Sequence, residues 1–180
     1  MTLATAMEHA EASGAEALSR EQLELFYRRT APALRSYIRR VAANPSIADD
    51  ILQESYVRLL NAPPLPEARL KSYLYRIATN QITDYHRAQS RERRWWQLAP
   101  RRNEAVDSKV ELSPDMDRLF AQASEQERAL LWLAYVEGAD HREIAAILDL
   151  KEKSVKVLLF RARRKMEEIL KRHGIERSHE

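Results

Sequence analysis

Apolar residues recur every three or four positions along most of this chain, and only a few turn signals interrupt them. That spacing places the apolar side chains on one side of an α-helix, whereas a strand would alternate at every second position. The sequence of 180 residues contains only three glycines, so few residues suit the tight turns of a many-stranded sheet. We therefore predict an all-α protein.

The helical pattern falls into two blocks, separated by a stretch without periodicity. Residues 97–115 contain two prolines and no apolar stripe, which is typical of a flexible linker. We therefore predict two small helical domains, at residues 19–96 and 116–173. The terminal segments 1–18 and 174–180 are predicted to be tails.

Helix signals divide the first domain. Asn44 and Pro45 break the chain, and Ser46 with Asp49 then has the spacing of a capping box, which predicts a helix to about Leu60. Prolines between residues 61 and 66 prevent that helix from continuing. A long helix is predicted after them, over residues 67–94.

The second domain carries the pattern of a helix-turn-helix. Capping boxes at residues 124–127 and 140–143 predict two helix starts, and the second of these helices is short. A break at residues 149–151 precedes a basic helix over about residues 152–172. Two helices joined by a three-residue turn, the second rich in Arg and Lys, are typical of this DNA-binding motif.

Charge is unevenly distributed along the chain. Residues 61–105 hold nine basic and four acidic side chains, and residues 151–172 hold nine and three. Residues 116–150 instead hold three basic and seven acidic side chains. Two separated basic segments are what two contacts with a polyanion would need. The alternative is that these side chains only solvate helix faces.

Several function classes lack their sequence signals. There are no cysteines, so disulfides, thiolate metal sites and cysteine nucleophiles are excluded. The five histidines share no helix face at ligand spacing, and neither a Gly-rich phosphate loop nor a Ser/His/Asp arrangement is present. No apolar run approaches the roughly 18 residues of a membrane span. We expect a cytoplasmic, non-enzymatic protein with no catalytic residues, metal, cofactor or membrane insertion.

Several segments of the sequence carry a family resemblance. Residues 48–59, ADDILQESYVRL, resemble the acidic helix in the second region of bacterial RNA polymerase sigma factors. Residues 72–87, SYLYRIATNQITDYHR, are similar to the next segment of that region. In the second domain, Glu127-Arg128 and residues 143–148, 154–156 and 161–163 resemble the fourth region, whereas Asp149, Lys151, Val157 and Leu158 depart from the family pattern. The chain thus resembles a small sigma factor of the extracytoplasmic-function type.

The resemblance implies that the protein binds core polymerase and directs promoter-specific initiation through three surfaces. The surface that docks on the clamp helices of the largest polymerase subunit would comprise Asp49, Asp50, Gln53, Glu54 and Val57. The surface that opens the promoter element near minus ten would comprise Tyr73, Tyr75, Arg76, Asn80, Thr83, Asp84, Arg87 and Arg91. The surface that reads the element near minus thirty-five would comprise Lys151, Lys153, Ser154, Lys156, Val157, Phe160, Arg161, Arg163 and Arg164.

Some of these residues also fit plainer roles. The tyrosines could stack on unpaired bases or pack in the core, and Asp84 could only pair with Arg87. Val157 and Phe160 could touch thymine methyl groups, or cover a surface that meets the polymerase flap or the first domain. Trp95 and Trp96 could contact DNA or fix the linker to the first domain.

Other functions remain open from the sequence. A stand-alone helix-turn-helix regulator would bind paired half-sites as a dimer without polymerase. An α-helical enzyme acting on a nucleotide would need a convergent polar pocket that the sequence does not indicate. For the sigma-factor interpretation, the resemblance implies an anti-sigma factor as a further partner.

Overall fold

A computed structural model describes residues 20–95 and 114–175. Within these ranges the chain forms seven α-helices, one short 3-10 turn and no strand, which confirms the all-α prediction. The helices are α1 (Arg20–Ala42), α2 (Ala48–Leu60), α3 (Glu67–Trp95), α4 (Pro114–Phe120), α5 (Glu125–Tyr135), α6 (His141–Leu148) and α7 (Glu152–Arg172).

Helices α1, α2 and α3 pack around one apolar centre in the first domain. Each contributes the residues that its helical spacing placed on one side, and burying them is the main stabilising contribution to the fold. The buried residues include Leu34, Ile38 and Val41 of α1, Ile51, Leu52 and Leu59 of α2, and Leu70, Leu74 and Ile82 of α3.

Hydroxyl pairs connect the three helices inside this core. Thr30 Oγ1 of α1 lies 2.7 Å from the Tyr56 hydroxyl of α2, and the Tyr37 hydroxyl of α1 lies 2.7 Å from Thr79 Oγ1 of α3. Burial raises the pKa of Tyr37 well above its usual value, so the phenol stays protonated and remains available for the bond. These bonds satisfy polar groups that would otherwise be buried at a cost.

The start of α2 differs from the prediction. The capping box of Ser46 with Asp49 does not form, because Asn44 caps a 3-10 turn over Pro45–Ile47 and α2 begins only at Ala48. The Asn44 side chain accepts from the backbone N–H of Ser46 at 3.1 Å, and Ser46 Oγ donates to the same oxygen at 2.8 Å. The hydroxyl of Ser46 therefore donates to Asn44 and does not cap α2.

Helices α6 and α7 form the predicted helix-turn-helix. Both predicted capping boxes are present, at residues 124–127 and 140–143. Asp149 ends α6 in the left-handed conformation, with φ of 54°, which turns the chain sharply before α7. On α7 the buried residues are Val155, Leu159, Ala162 and Ile169.

The two helical regions pack against each other. Helix α5 contacts α1, helix α6 contacts α3, and residues of both regions belong to one continuous apolar core. Helix α4 begins at Pro114, within the last two residues of the predicted linker, and packs on α7. The rest of that linker and the predicted tail at 1–18 lie outside the described residues.

Candidate polymerase and nucleic-acid interfaces

The predicted polymerase-docking residues lie on the exposed side of α2. Asp50, Gln53, Glu54 and Val57 are exposed, whereas Ile51, Leu52, Ser55, Tyr56 and Leu59 are buried behind them. Glu54 accepts a 2.7 Å bond from Arg58 Nε one turn later. These four residues therefore supply two carboxylates, an amide and one apolar side chain, beside the exposed Arg58 and Leu60.

Asp49 differs from the other predicted docking residues, because it pairs with α1. Its two carboxylate oxygens accept from Arg35 Nε at 2.5 Å and Arg35 Nη2 at 2.8 Å. The hydrogen bonds from this guanidinium lower the pKa of Asp49, and the carboxylate in turn raises the pKa of Arg35. Asp49 is exposed but already has a partner within the protein.

Most of the predicted minus-ten residues form one line along α3. Arg76, Asn80, Arg87 and Arg91 are exposed and Thr83 is partly buried, so spacings of three and four residues do align them. Asp84 is also exposed and lies 3.9 Å from Arg87 Nη1, as its plainer interpretation expects. Together they make a polar, mainly basic strip on one side of α3.

The tyrosines of α3 differ in accessibility, and only Tyr75 among those that the structure describes on this helix is fully buried. Tyr75 is 1% exposed, with its ring centroid 5.1 Å from that of Tyr37, and burial raises the pKa of its phenol. Tyr73 is partly buried, and the Tyr85 hydroxyl accepts from Asn44 Nδ2 at 2.7 Å. Tyr75 is therefore unavailable to a base in this arrangement of the domains. The side chains of Trp95 and Trp96 lie outside the described residues.

Helix α7 presents the predicted minus-thirty-five residues to solvent. Ser154 is partly buried, and the exposed members are Lys151, Lys153, Lys156, Val157, Phe160, Arg161, Arg163 and Arg164. Val157 and Phe160 are 51% and 53% exposed, so the first domain does not cover them here. Helix α7 thus combines a basic surface with two exposed apolar side chains.

Sequence reasoning missed a set of polar contacts between the domains. Glu137 lies 3.2 Å from Lys71 Nζ, and Asp149 lies 3.5 Å from Arg76 Nη2. Thr83 Oγ1 donates to Glu125 Oε1 at 2.5 Å. The acidic excess over residues 116–150, beside the basic excess over residues 61–105, was the signal that could have indicated them.

Arg128 is a second structural contact that sequence reasoning did not assign. Its side chain is 5% exposed, and it donates to the Val41 carbonyl of α1 from Nε at 2.9 Å and from Nη2 at 2.6 Å. Val41 lies in the last turn of α1, where backbone carbonyls lack partners within the helix. Nη1 donates to the Ala123 carbonyl, so one guanidinium joins α1 to the corner before α5.

Within the part of the chain that the structure describes, no helix is both long and apolar enough to cross a membrane. Two family models match the sequence: Sigma-70 region 2 over residues 26–92, and Sigma-70 region 4 over residues 115–166. They fall on the two helical regions separately, and together they cover more than half of the chain.

Curated relatives and solved structures agree with these matches. The chain is 25% identical over 132 residues to the ECF RNA polymerase sigma factor SigM of Bacillus subtilis, covering 70% of this chain and 81% of the relative. It is 27% identical over 176 residues to the ECF RNA polymerase sigma factor SigL of Mycobacterium tuberculosis, covering 93% and 99%.

Two solved structures share the fold. The sigma factor RpoE of Bartonella quintana, crystallised with the anti-sigma factor NepR, has a TM-score of 0.72 at 21% identity, covering 82% of this chain and 96% of that chain. CnrH, solved with the cytosolic domain of CnrY, has a TM-score of 0.62 at 20% identity, covering 86% and 90%. With both sigma-70 regions present in order and on separate helical units, the chain belongs to the sigma-70 family as an extracytoplasmic-function sigma factor.

Proposed function

We propose that this sigma factor directs RNA polymerase to promoters through three separate surfaces. The exposed side of α2 docks on the clamp helices of the polymerase, the basic strip of α3 holds the melted minus-ten element, and α7 reads the minus-thirty-five element. The exposure of Asp50, Gln53 and Glu54 opposite the buried side of α2 supports this assignment most directly.

The docking surface suits a protein partner of opposite charge. Asp50 and Glu54 supply negative charge one helical turn apart, and Val57 supplies an exposed apolar contact one turn further along α2. Charge complementarity increases the rate of encounter and fixes the orientation of the complex, while the apolar residue contributes when water is excluded. Asp49 already pairs with Arg35 of α1, and Glu54 pairs with Arg58 of the same helix, so docking on either carboxylate would share or exchange an arginine.

The α3 strip suits a single strand of DNA. Arg76, Arg87 and Arg91 would neutralise phosphates, and Asn80 offers a donor and an acceptor to a base edge. With about six phosphate contacts shared between the domains, the log–log slope of affinity against salt would be about −5. Opening of the duplex would be driven by binding energy, so no catalytic group, metal or cofactor is required.

The α7 surface suits the major groove of a duplex. A guanidinium placed bidentate on guanine discriminates by about 1–3 kcal/mol, and Arg161, Arg163 and Arg164 are exposed for such contacts. Val157 and Phe160 can meet thymine methyl groups on the same side. The same role implies a cytoplasmic location, where polymerase and chromosome are found.

An anti-sigma factor is a further partner that we propose. RpoE, which shares the fold, was crystallised with the anti-sigma factor NepR, and that arrangement motivates the proposal. Exposed apolar side chains at the ends of two helices, Leu60 of α2 and Tyr135 with the following Val136 at α5, offer contacts for such a protein.

A paired set of variants tests the division of labour. Gln53→Ala/Glu54→Ala should weaken binding to core polymerase about tenfold or more and leave the ranking of promoters unchanged. Lys156→Ala/Arg163→Ala should leave the affinity for core polymerase unchanged and flatten the ranking of promoters. Calorimetric titration with core enzyme measures the first property, and sequencing of transcript starts measures the second.

A matched control for the docking variant is Gln126→Ala/Glu24→Ala, which makes the same two substitutions at exposed positions outside α2. If the docking variant and this control bind core polymerase equally well, α2 is not the docking surface. If the parent protein does not bind core polymerase and footprints paired half-sites alone, the stand-alone regulator is the correct function instead.

A further inference from the structure

The outer side of α7 carries two apolar side chains. Val157 and Phe160 are both about half exposed, and they are the exposed large apolar side chains of this helix. Val157 lies two positions after the buried Val155, and Phe160 lies two positions before the buried Ala162. On a helix with 3.6 residues per turn, residues two positions apart point to nearly opposite sides. The apolar pair therefore lies on the side of α7 that faces away from its own domain.

Cations extend this apolar pair in both directions along the helix. Lys153 lies four residues before Val157, and Arg164 lies four residues after Phe160, so the four side chains form one row. We call this row the outer ridge. Residues 153–166 hold six basic and no acidic side chains. This charge favours a polyanion as the partner of the outer ridge over an uncharged or basic protein surface.

The position and spacing of the apolar pair suit base edges. Both residues lie in the first half of α7, and the second helix of a helix-turn-helix contacts base edges with its N-terminal part. They are three residues apart, which is about 4.5 Å along the helix axis. Base pairs follow each other at about 3.4 Å, so the two side chains can reach neighbouring pairs. Leu158 between them is partly buried and packs against the core.

An apolar side chain in the major groove distinguishes one base from the others. Thymine presents its C5-methyl group there, whereas the other bases present hydrogen-bond donors and acceptors. A methyl group gains by contact with valine or phenylalanine because both lose water. A donor or acceptor placed against the same side chains would lose its water without gaining a partner. Apolar residues on the outer ridge therefore favour thymine.

We infer that Val157 and Phe160 read two neighbouring A·T pairs of the minus-thirty-five element through the C5-methyl groups of thymine. This inference rests on the proposed role of α7 and adds the identity of the bases at the centre of its contact. Lys156 and Arg163 lie beside the outer ridge, where they can contact the flanking base pairs and the backbone.

Replacing thymine by uracil tests the methyl contacts directly. The exchange removes the methyl group and leaves every hydrogen-bonding group of the base in place. The probe is a fluorescein-labelled duplex of the promoter that gives the most transcript, titrated with the holoenzyme. Single replacements should locate two neighbouring positions that each weaken binding about fourfold, and replacing both should weaken it more than tenfold. Uracil at the same number of thymines between the two promoter elements should change nothing.

Variants of α7 show whether these two side chains cause the preference. Val157→Ala/Phe160→Ala should bind the thymine and uracil duplexes equally, and alanine at these exposed positions keeps the helix. Phe160→Leu should keep most of the preference, because leucine still presents apolar atoms. The matched control is Leu25→Ala/Tyr27→Ala, which removes an exposed aliphatic and an exposed aromatic side chain from α1. It should keep the full thymine preference of the parent.

Three results would overturn the inference. The first is equal affinity of the parent holoenzyme for the thymine and uracil duplexes. The second is a uracil effect of the same size in the parent and in Val157→Ala/Phe160→Ala, which would place the effect in the stiffness of the DNA. The third is a loss of affinity for core polymerase in that variant with an unchanged thymine preference, which would assign the apolar pair to a protein contact.

Failure of the proposed function would look different. If the parent protein with core polymerase yields no promoter-specific transcripts, the sigma-factor assignment of the surfaces fails and the base assignment fails with it. If transcription depends on the sequence of the minus-thirty-five element but uracil has no effect there, only the reading of thymine methyl groups fails.

Discussion

Replacing Arg128 tests how the two domains are held together. The variant Arg128→Met keeps most of the aliphatic length and removes the guanidinium. Two of the lost hydrogen bonds go to the Val41 carbonyl of α1, and a third goes to the Ala123 carbonyl before α5. All of these bonds are buried, so the carbonyls left behind have little access to water.

The expected loss of stability is about 3 kcal/mol. A buried acceptor that loses its partner costs about 1–3 kcal/mol, and two carbonyls lose theirs here. The apolar methionine regains part of this by remaining buried. For a protein of this size, about 3 kcal/mol corresponds to a fall in melting temperature of about 6–12 °C.

Urea unfolding followed by far-UV circular dichroism measures the change in the free energy of unfolding. The matched control is Arg142→Met, an exposed arginine in the first turn of α6, which should change stability by less than about 0.5 kcal/mol. If Arg128→Met and Arg142→Met unfold at the same urea concentration, the guanidinium does not stabilise the contact between the domains. A loss confined to the slope of the transition would also contradict the reasoning, because it would indicate a change in the unfolded state.

Two further predictions concern the start of α2. Asn44→Ala should cost about 1–2 kcal/mol of unfolding free energy, because Asn44 caps the 3-10 turn and donates to the Tyr85 hydroxyl. Ser46→Ala should cost about 0.5 kcal/mol. A larger loss for Ser46→Ala than for Asn44→Ala in thermal melts would indicate that Ser46 does form the predicted capping box. Arg35 lowers the pKa of Asp49, so the stability from this pair is present above the unfolded carboxyl value of 3.8 and is lost as the pH falls through the lower folded value. Because both side chains are largely exposed, the pair should contribute less than about 1 kcal/mol, and Asp49→Asn should remove that part of the acid sensitivity in unfolding measured at neutral and acidic pH. Equal acid sensitivity in Asp49→Asn and the parent would count against the pair.

Helix positions could be predicted from the sequence because their causes are local. A helical hydrogen bond joins residues four apart, and a capping box joins residues three apart, so residues 124–127 and 140–143 contain everything that begins α5 and α6. The same holds for the sides of α2 and α7, where the apolar spacing alone indicated which side chains are buried. At the start of α2 local reasoning failed, because the side chain of Asn44 takes the backbone N–H of Ser46 that Asp49 would bond in a capping box.

The candidate surfaces were predicted in part. Exposure of Asp50 and Glu54 on α2, and of Lys156 and Arg163 on α7, follows from helical spacing. The partner of Asp49 did not, since Arg35 lies on another helix and meets it only after α1 and α2 pack.

Sequence alone determined that this chain forms helices, which sides of them are apolar, and where negative and positive charge would be displayed, because each of these depends on neighbours within a turn. Only the tertiary structure decided that the second domain lies on α3, that Tyr75 is buried, and that Arg128 bonds Val41, 87 positions away. Contacts of that separation depend on how whole helices fit against each other, and no local pattern of residues specifies that fit.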